Sequence, residues 1–199
     1  MVWLEVETKI PVKNSDVAEM RKKIRKIGKF VKKETRGDDY FALKRKLRGH
    51  DYPKKAFRVR EKPAYFEVNF KNWLENLWSD DIIVKEEFEF KLKDKDEVDN
   101  LLALFKDLGF VQWMKKRKTS ESYTHKKDKR LIIELNKVAH LGYFIEMEYL
   151  SQRHEMAKAK KKIRGAMKEL ELTKDDVDNT GYTRRLWDKG IKDKRYWAD

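Results

Sequence analysis

Apolar and charged residues alternate with a period of two over seven short stretches of the chain. In the first stretch, Leu4 and Val6 alternate with Glu5, Glu7 and Lys9. This alternation is typical of β-strands that have one apolar and one charged face. The seven stretches are 2–9, 57–60, 66–71, 84–91, 114–119, 131–136 and 144–149. Because several are joined by hairpin-length connections, we expect a largely antiparallel sheet.

Three longer segments have apolar residues at helical spacing. The first begins at Ser15 or Asp16, either of which can cap a helix, and ends at Gly28. The second spans about 96–108 and the third about 152–170, and a short helix is expected at 174–178. More strands than helices are therefore predicted, which indicates an α+β fold.

The composition fits one domain over residues 1–199, with the strands in 2–150 and a helical segment over 151–199 that packs on them. The 199 residues include no cysteine, which excludes disulfides, thiolate metal sites and a cysteine nucleophile. No apolar run is long enough to cross a membrane, and the first residues lack a secretory signal. We therefore expect a soluble cytoplasmic protein without a membrane partner.

The chain is strongly basic, with 42% charged residues and a formal net charge of +14. A polyanionic ligand and a lysine- and glutamate-rich surface typical of thermophiles both account for this excess. Two lysine-rich runs, 126–130 and 158–162, are interpreted as solvated faces. The tryptophan-rich tail with Trp187, Tyr196 and Trp197 is expected to pack against the sheet or a second copy.

The charged strand faces carry specific acidic and basic residues in place of neutral polar ones. The acidic positions are Glu5, Glu7, Glu87, Glu89, Glu134, Glu146 and Glu148, and the basic ones are Lys9, Arg58, Arg60, Lys71, Lys115 and Arg117. A sheet that curls with these faces inward, under helices that cover its apolar side, would enclose a charged tunnel. Arginine and lysine match triphosphate oxygens, and carboxylates hold Mg²⁺ or Mn²⁺. The pattern predicts metal-assisted phosphoryl or nucleotidyl transfer.

Short motifs in the same strands resemble the CYTH superfamily, the triphosphate tunnel metalloenzymes. The first, Glu5-Val6-Glu7-Thr8-Lys9, is similar to the family's ExExK signature. Further similar elements follow in the family's order: Asp38-Asp39-Tyr40-Phe41, Phe57-Arg58-Val59-Arg60, Phe70-Lys71, Glu86-Glu87-Phe88-Glu89, Lys115-Lys116-Arg117 and 141–148. The resemblance covers about residues 2–150.

The resemblance implies a closed, tunnel-like, eight-stranded antiparallel β-barrel with a charged interior and helices packed outside. It implies that Glu5, Glu7, Glu146 and Glu148 hold Mg²⁺ or Mn²⁺. Catalysis and triphosphate binding would belong to Lys9, Arg58, Arg60, Lys71, Lys115 and Arg117. Glu87, Glu89, Glu134 and Asn136 would line the tunnel. Asn136 stands where the family often carries aspartate, so it supplies an oxygen without a charge.

The motifs and the charge pattern leave three functions open. The motif layout is most similar to class IV adenylyl cyclases, which convert ATP to cyclic AMP and pyrophosphate. The alternative is a triphosphatase that hydrolyses thiamine triphosphate, inorganic tripolyphosphate or a nucleoside triphosphate. An alternative of another class is a non-catalytic protein that binds polyphosphate or nucleic acid through its basic charge. The expected partner is a small triphosphate, not nucleic acid, and the expected assembly is a monomer or homodimer.

Overall fold

A computed structural model describes residues 3–48, 52–53 and 56–190 of the chain. Three residues of the sequence-based predictions, Val2, Tyr196 and Trp197, lie outside the described residues. No helix in the described ranges combines the length and the apolar character needed to span a lipid bilayer.

Strands make up most of the regular structure. The strands are β1 (Leu4–Val12), β2 (Gly28–Leu43), β3 (Phe57–Lys62), β4 (Tyr65–Trp73), β5 (Ile83–Leu92), β6 (Phe110–His125), β7 (Asp128–Val138) and β8 (Gly142–Ser151). The α-helices are α1 (Val17–Ile27), α2 (Lys44–Arg48), α3 (Lys95–Asp107), α4 (Met156–Glu169) and α5 (Tyr182–Asp188). Single 3₁₀ turns cover Asn14–Asp16, Glu75–Leu77, Arg153–Glu155 and Lys174–Asp176.

The eight strands close into an antiparallel barrel in the order β1-β5-β4-β3-β2-β6-β7-β8. Strand β1 pairs with β5 on one side and with β8 on the other, so the first and last strands of the chain complete the closure. Closure removes the unpaired sheet edges that would otherwise promote aggregation. The expected α+β fold with a closed eight-stranded barrel is confirmed.

By contact density the chain divides into two compact units. The first comprises Met1–Thr35, Asn72–Glu87 and Lys118–Thr180. Its core joins the apolar faces of β1, β7 and β8 to one side of α1 and α4, with Ile133 and Ile163 among its fully buried residues. The charged residues of these strands therefore lie on the face opposite the helices, as the alternation requires.

Gly28 allows β2 to begin directly after α1. A Cβ atom at this position would lie 3.0 Å from Tyr123 Cβ and 3.1 Å from the Ile24 carbonyl oxygen. These distances are shorter than most Cβ contacts, so the glycine permits a close approach between the helix end and β6 without displacing either. The predicted end of the first helix at this glycine agrees with the structure.

The second unit comprises Arg36–Lys71, Phe88–Arg117 and Gly181–Asp199. Its core packs Phe57, Val59 and Val68 from β3 and β4 against one side of α3. Six phenylalanines lie in this core or pack against it, and the Phe57 and Phe105 ring centroids are 4.6 Å apart. Trp187 of α5 packs on Trp113 of β6 with a centroid distance of 5.7 Å.

Strand β2 was not among the seven stretches predicted from alternation. Its first half carries lysines on both faces, and its apolar residues Phe30 and Val31 are 51% and 55% exposed. Because neither face of this segment is buried, no period-two pattern develops in its sequence. Its place in the barrel depends on pairing with its neighbours.

The predicted phase of β6 was wrong by one residue. Lys116 and Lys118, each 7% exposed, are buried, whereas Arg117 is exposed. Ser120 and Ser122 pair opposite Asn136 and Glu134, which places the even-numbered residues on the charged face. Lys115 and Arg117 therefore belong to the opposite face. The error arose because residues 115–118 are all basic, and the one apolar residue of the stretch, Met114, lies on the same face as Lys116 and Lys118.

Candidate active site

Glutamates and one lysine line the charged faces of the paired strands β1 and β8 of the first unit. The register places Glu7 opposite Glu148 and Lys9 opposite Glu146. Side chains in directly opposite positions have Cβ atoms about 4.5–5.5 Å apart and interact directly. Glu5 and Glu7 are only 4% and 6% exposed. Two carboxylates opposite one another repel unless cations lie beside them, so this face requires compensating positive charge.

Lysine ammonium groups supply part of that charge. Lys9 Nζ lies 3.2 Å from Glu146 Oε1 and 3.8 Å from Glu7 Oε1. Lys85 of β5 also donates a hydrogen bond to Glu7. On the other side of β8, Lys118 Nζ lies 2.9 Å from Glu134 Oε2 and 3.0 Å from Glu146 Oε2. Each of these carboxylates is thus held by at least one lysine from a neighbouring strand.

Asn136 presents a carbonyl oxygen within this charged face. The residue is fully buried, and its Nδ2 donates to Glu146 Oε2 at 2.6 Å. Its Oδ1 is buried without a hydrogen-bond partner among the described residues. A buried acceptor without a donor is energetically unfavourable, so a cation near this atom would stabilise it.

The oxygen donors of the first unit fit a divalent metal by their chemistry. Glutamate and amide oxygens are the ligands that Mg²⁺ and Mn²⁺ prefer. The Glu7–Glu148 opposition and the unpartnered Asn136 oxygen are the features that a metal would satisfy. Over the described ranges, no group of three acidic or histidine side chains already stands at metal-binding distance.

The buried carboxylate of Asp38 organises the cations of the second unit. Its two oxygens accept from Arg60 Nε at 2.6 Å and from Arg60 Nη2 at 3.0 Å. Lys116 Nζ lies 2.9 Å away and Arg58 Nε lies 3.9 Å away. Burial would raise the pKa of Asp38, but the charges of Lys116, Arg60 and Arg58 hold this pKa well below its ordinary value. Asp38 is therefore ionised and neutralises only part of the charge around it.

Glu67 of β4 holds the same arginines from a second side. It accepts a hydrogen bond from Arg58 Nη2 and lies 3.6 Å from Arg60 Nη1. Lys62 Nζ is 3.5 Å from its other oxygen. Burial would raise the pKa of Glu67, but the positive charges of Arg58, Arg60 and Lys62 lower it. Both guanidinium groups are thereby fixed between two ionised carboxylates.

Tyr40 contacts Lys116 directly. Its hydroxyl accepts from Lys116 Nζ at 2.8 Å and is 3.4 Å from Asp38 Oδ2. Burial first, and the Asp38 charge second, raise the pKa of Tyr40 far above its ordinary value. The phenol stays protonated at neutral pH, so Tyr40 can orient Lys116 but cannot act as a base.

The structure brings several of the predicted strand-face residues together within each unit. Lys9, Glu7, Glu134, Asn136 and Glu146 interact in the first unit, and Arg58 and Arg60 interact in the second. Lys71 and Glu87 are half-buried, whereas Glu89 is exposed. Sequence reasoning missed Glu67, Lys85, Lys116 and Lys118 as site residues, and it assigned Asp38 no definite role. The period-two pattern could have identified Glu67 and Lys85, since both lie on the charged faces of their strands.

We predict that Asp38→Asn destabilises the fold by about 3 kcal/mol at pH 7, because it leaves buried cations without their carboxylate. Because the pKa of Asp38 is depressed in the folded protein, the ionised carboxylate contributes its full stabilisation at pH values above 3.8, the ordinary pKa of this group. That stabilisation is lost progressively as the pH falls below 3.8. The difference in the free energy of unfolding between wild type and Asp38→Asn should therefore become smaller in acid. Urea unfolding of both proteins between pH 7 and pH 3 measures this difference.

Asp188→Asn is the matched control, because Asp188 forms an exposed ion pair with Arg184. It should change stability by less than about 0.5 kcal/mol. Equal losses of unfolding free energy for the two substitutions would contradict the assigned role of Asp38. So would a loss for Asp38→Asn that stays constant as the pH falls.

A family model described as the CYTH domain matches residues 4–182. The structure is similar to the PH1819 protein of Pyrococcus horikoshii OT3, with a TM-score of 0.72, 26% identity, and coverage of 93% of this chain and 99% of that one. The PH1012 protein of the same organism gives a TM-score of 0.68 and 25% identity, covering 90% of this chain and 97% of that chain.

HpAC1 from Hippeastrum, a candidate adenylyl cyclase with a dominant triphosphatase activity, shares the fold at 16% identity. Its TM-score is 0.62, and the match covers 94% of this chain and 96% of that chain. Comparison with curated protein sequences finds no significant match. Because the family model spans most of the chain and the barrel has the expected closure, this protein belongs to the CYTH domain family.

Proposed function

We propose that this protein is a divalent-metal-dependent enzyme that acts on triphosphate compounds. The observation that carries the proposal is the cluster of Arg58, Arg60 and Lys116 around Asp38. Cations held in place before a ligand arrives lose little freedom on binding, which favours tight recognition of phosphate oxygens. Membership of the CYTH family supports the same substrate class.

In this proposal one set of residues binds the metal and a second set binds the triphosphate. Glu5, Glu7, Glu146 and Glu148 would hold the metal, with Asn136 as a neutral oxygen donor. When bound, Mg²⁺ or Mn²⁺ would neutralise charge on phosphate oxygens and lower the pKa of a bound water. Arg58, Arg60 and Lys116 would bind the phosphate oxygens, and Lys9 and Lys118 would balance the carboxylates.

Asp38 and Glu67 act as positioning residues in this proposal. Arg60 points two nitrogens at Asp38, which fixes the plane of its guanidinium and leaves Nη1 near Glu67. Because both carboxylates are ionised, they orient the cations without carrying protons. A triphosphate would then compete with Glu67 and Asp38 for donors that are already aligned.

Of the two candidate reactions, we propose hydrolysis as the principal one. Hydrolysis needs the triphosphate chain, a metal and water. Cyclisation also needs a nucleoside whose ribose 3′-hydroxyl attacks the α-phosphorus while pyrophosphate leaves. The dominant triphosphatase activity of HpAC1 supports hydrolysis, and the class IV cyclase-like order of the motifs supports cyclisation as the second candidate.

The purified protein should convert tripolyphosphate, thiamine triphosphate or ATP only when Mg²⁺ or Mn²⁺ is added. Glu7→Gln should lower this turnover about 100-fold or more, because the face would lose a metal ligand. Phosphorus NMR of the products decides the reaction: orthophosphate indicates hydrolysis, and pyrophosphate with cyclic AMP indicates cyclisation. Glu19→Gln, on the exposed side of α1, is the control and should retain activity. If no substrate is turned over with either metal, the proposed function is wrong.

The corrected phase of β6 gives a second test of the same proposal. Lys116→Gln should reduce kcat/KM about 100-fold, since a charge-assisted contact to phosphate is lost. Arg117→Gln, one residue away on the opposite face, should stay within about twofold of wild type. A larger loss for Arg117→Gln than for Lys116→Gln would restore the original assignment of Lys115 and Arg117.

A further inference from the structure

A cleft of about 280 Å³ lies between α4 and the β6–β7 turn of the first unit. Its apolar lining includes Leu131 and Ala166, which also belong to the core beneath the helices. On β7, Leu131 has the opposite orientation to Glu134 and Asn136, because residues of odd and even number point to opposite faces of a strand. The cleft therefore lies on the helix-covered side of the strand, away from the carboxylates of the proposed metal site.

Four lysines line this cleft: Lys127, Lys158, Lys161 and Lys162. Lys162 Nζ lies 3.1 Å from Asp128 Oδ2, and Lys158 pairs with Glu155 at 3.3 Å. Lys161 forms no ion pair with any residue in the described part of the chain. The four ammonium groups outnumber the two carboxylates of the lining, so the cleft has a net positive charge.

Glu169 is shared between two weak partners at the edge of the cleft. Its oxygens lie 3.8 Å from Lys127 Nζ and 3.5 Å from His125 Nε2. The His125 side chain is 7% exposed, and its Nδ1 accepts from the Lys127 backbone at 3.3 Å. In the neutral ring Nε2 then carries the hydrogen, and this buried donor has no hydrogen-bond acceptor among the described residues. An anion bound in the cleft would offer this Nε2–H group an acceptor.

Gly165 lines the cleft and has open space beside it. A Cβ atom at this position would meet no atom within 4 Å, although the residue lies within α4. Glycine inside a helix is less favourable than alanine by about 0.5–1 kcal/mol. This helix thus carries a destabilising residue where a larger side chain would project into the cleft.

We propose that this cleft is a second anion site, which binds free inorganic phosphate or pyrophosphate. A phosphate group offers three or four oxygens to separate ammonium donors, whereas a carboxylate offers two. A cleft of about 280 Å³ has room for either of these small anions. The proposal does not depend on turnover of any triphosphate.

Titration calorimetry with phosphate and with pyrophosphate, at constant ionic strength and without metal, tests the site. Lys161→Gln should weaken binding about tenfold, and Gly165→Leu should abolish it by filling the cleft. The matched controls are Lys168→Gln, an exposed lysine of the same helix outside the lining, and Gly165→Ala. Both controls should bind within about twofold of wild type.

The imidazole NMR signals of His125 report where the anion binds. They should shift on titration of the wild type and of an Arg58→Gln variant, in which phosphate binding by the second unit is weakened. Failure to bind either anion at millimolar concentration would overturn the proposal. So would equal weakening by Lys168→Gln and Lys161→Gln, or binding that survives Gly165→Leu. Loss of binding in Arg58→Gln alone would assign the anion to the proposed active site instead.

Discussion

Asp38 is an ionised carboxylate with almost no exposure, and it contacts Arg60 and Lys116 at hydrogen-bond distance. Removing such groups from water costs several kcal/mol for each ion unless partners with good geometry compensate the charge. The same constraint applies to Lys9 and Lys118, which lie beside glutamates in the first unit. The charged face of each unit can exist only if strand register brings opposite charges together.

This constraint connects the fold to the proposed function. The partners that compensate the buried ions come from neighbouring strands, so the pairing of β1 with β8 and of β3 with β4 fixes the positions of the side chains. A phosphate ligand would exchange carboxylates for phosphate oxygens around Arg58 and Arg60. Ligand binding would thus replace one set of ion pairs by another around cations that strand pairing already holds in place.

The sequence predicted the parts of this arrangement in which apolar residues mark the phase of a strand. In β1, Leu4 and Val6 assign Glu5 and Glu7 to the opposite face, and in β8, Ile145 and Met147 assign Glu146 in the same way. In β6, four consecutive basic residues left the phase undetermined. The role of Asp38 could not be predicted, because its partners Arg60 and Lys116 are distant in sequence and meet only through strand pairing. Asn136 was predicted on the charged face, but its unpartnered oxygen depends on side-chain packing.

A crystal structure of the protein with Mn²⁺ and tripolyphosphate tests most directly whether the charged strand faces bind metal and triphosphate. We expect the anomalous signal to place a manganese ion in contact with glutamate oxygens of β1 and β8. We also expect phosphate oxygens in contact with Arg58, Arg60 and Lys116. A manganese peak confined to exposed carboxylates, with the Lys9–Glu146 and Asp38–Arg60 pairs unchanged and no phosphate beside them, would contradict this claim.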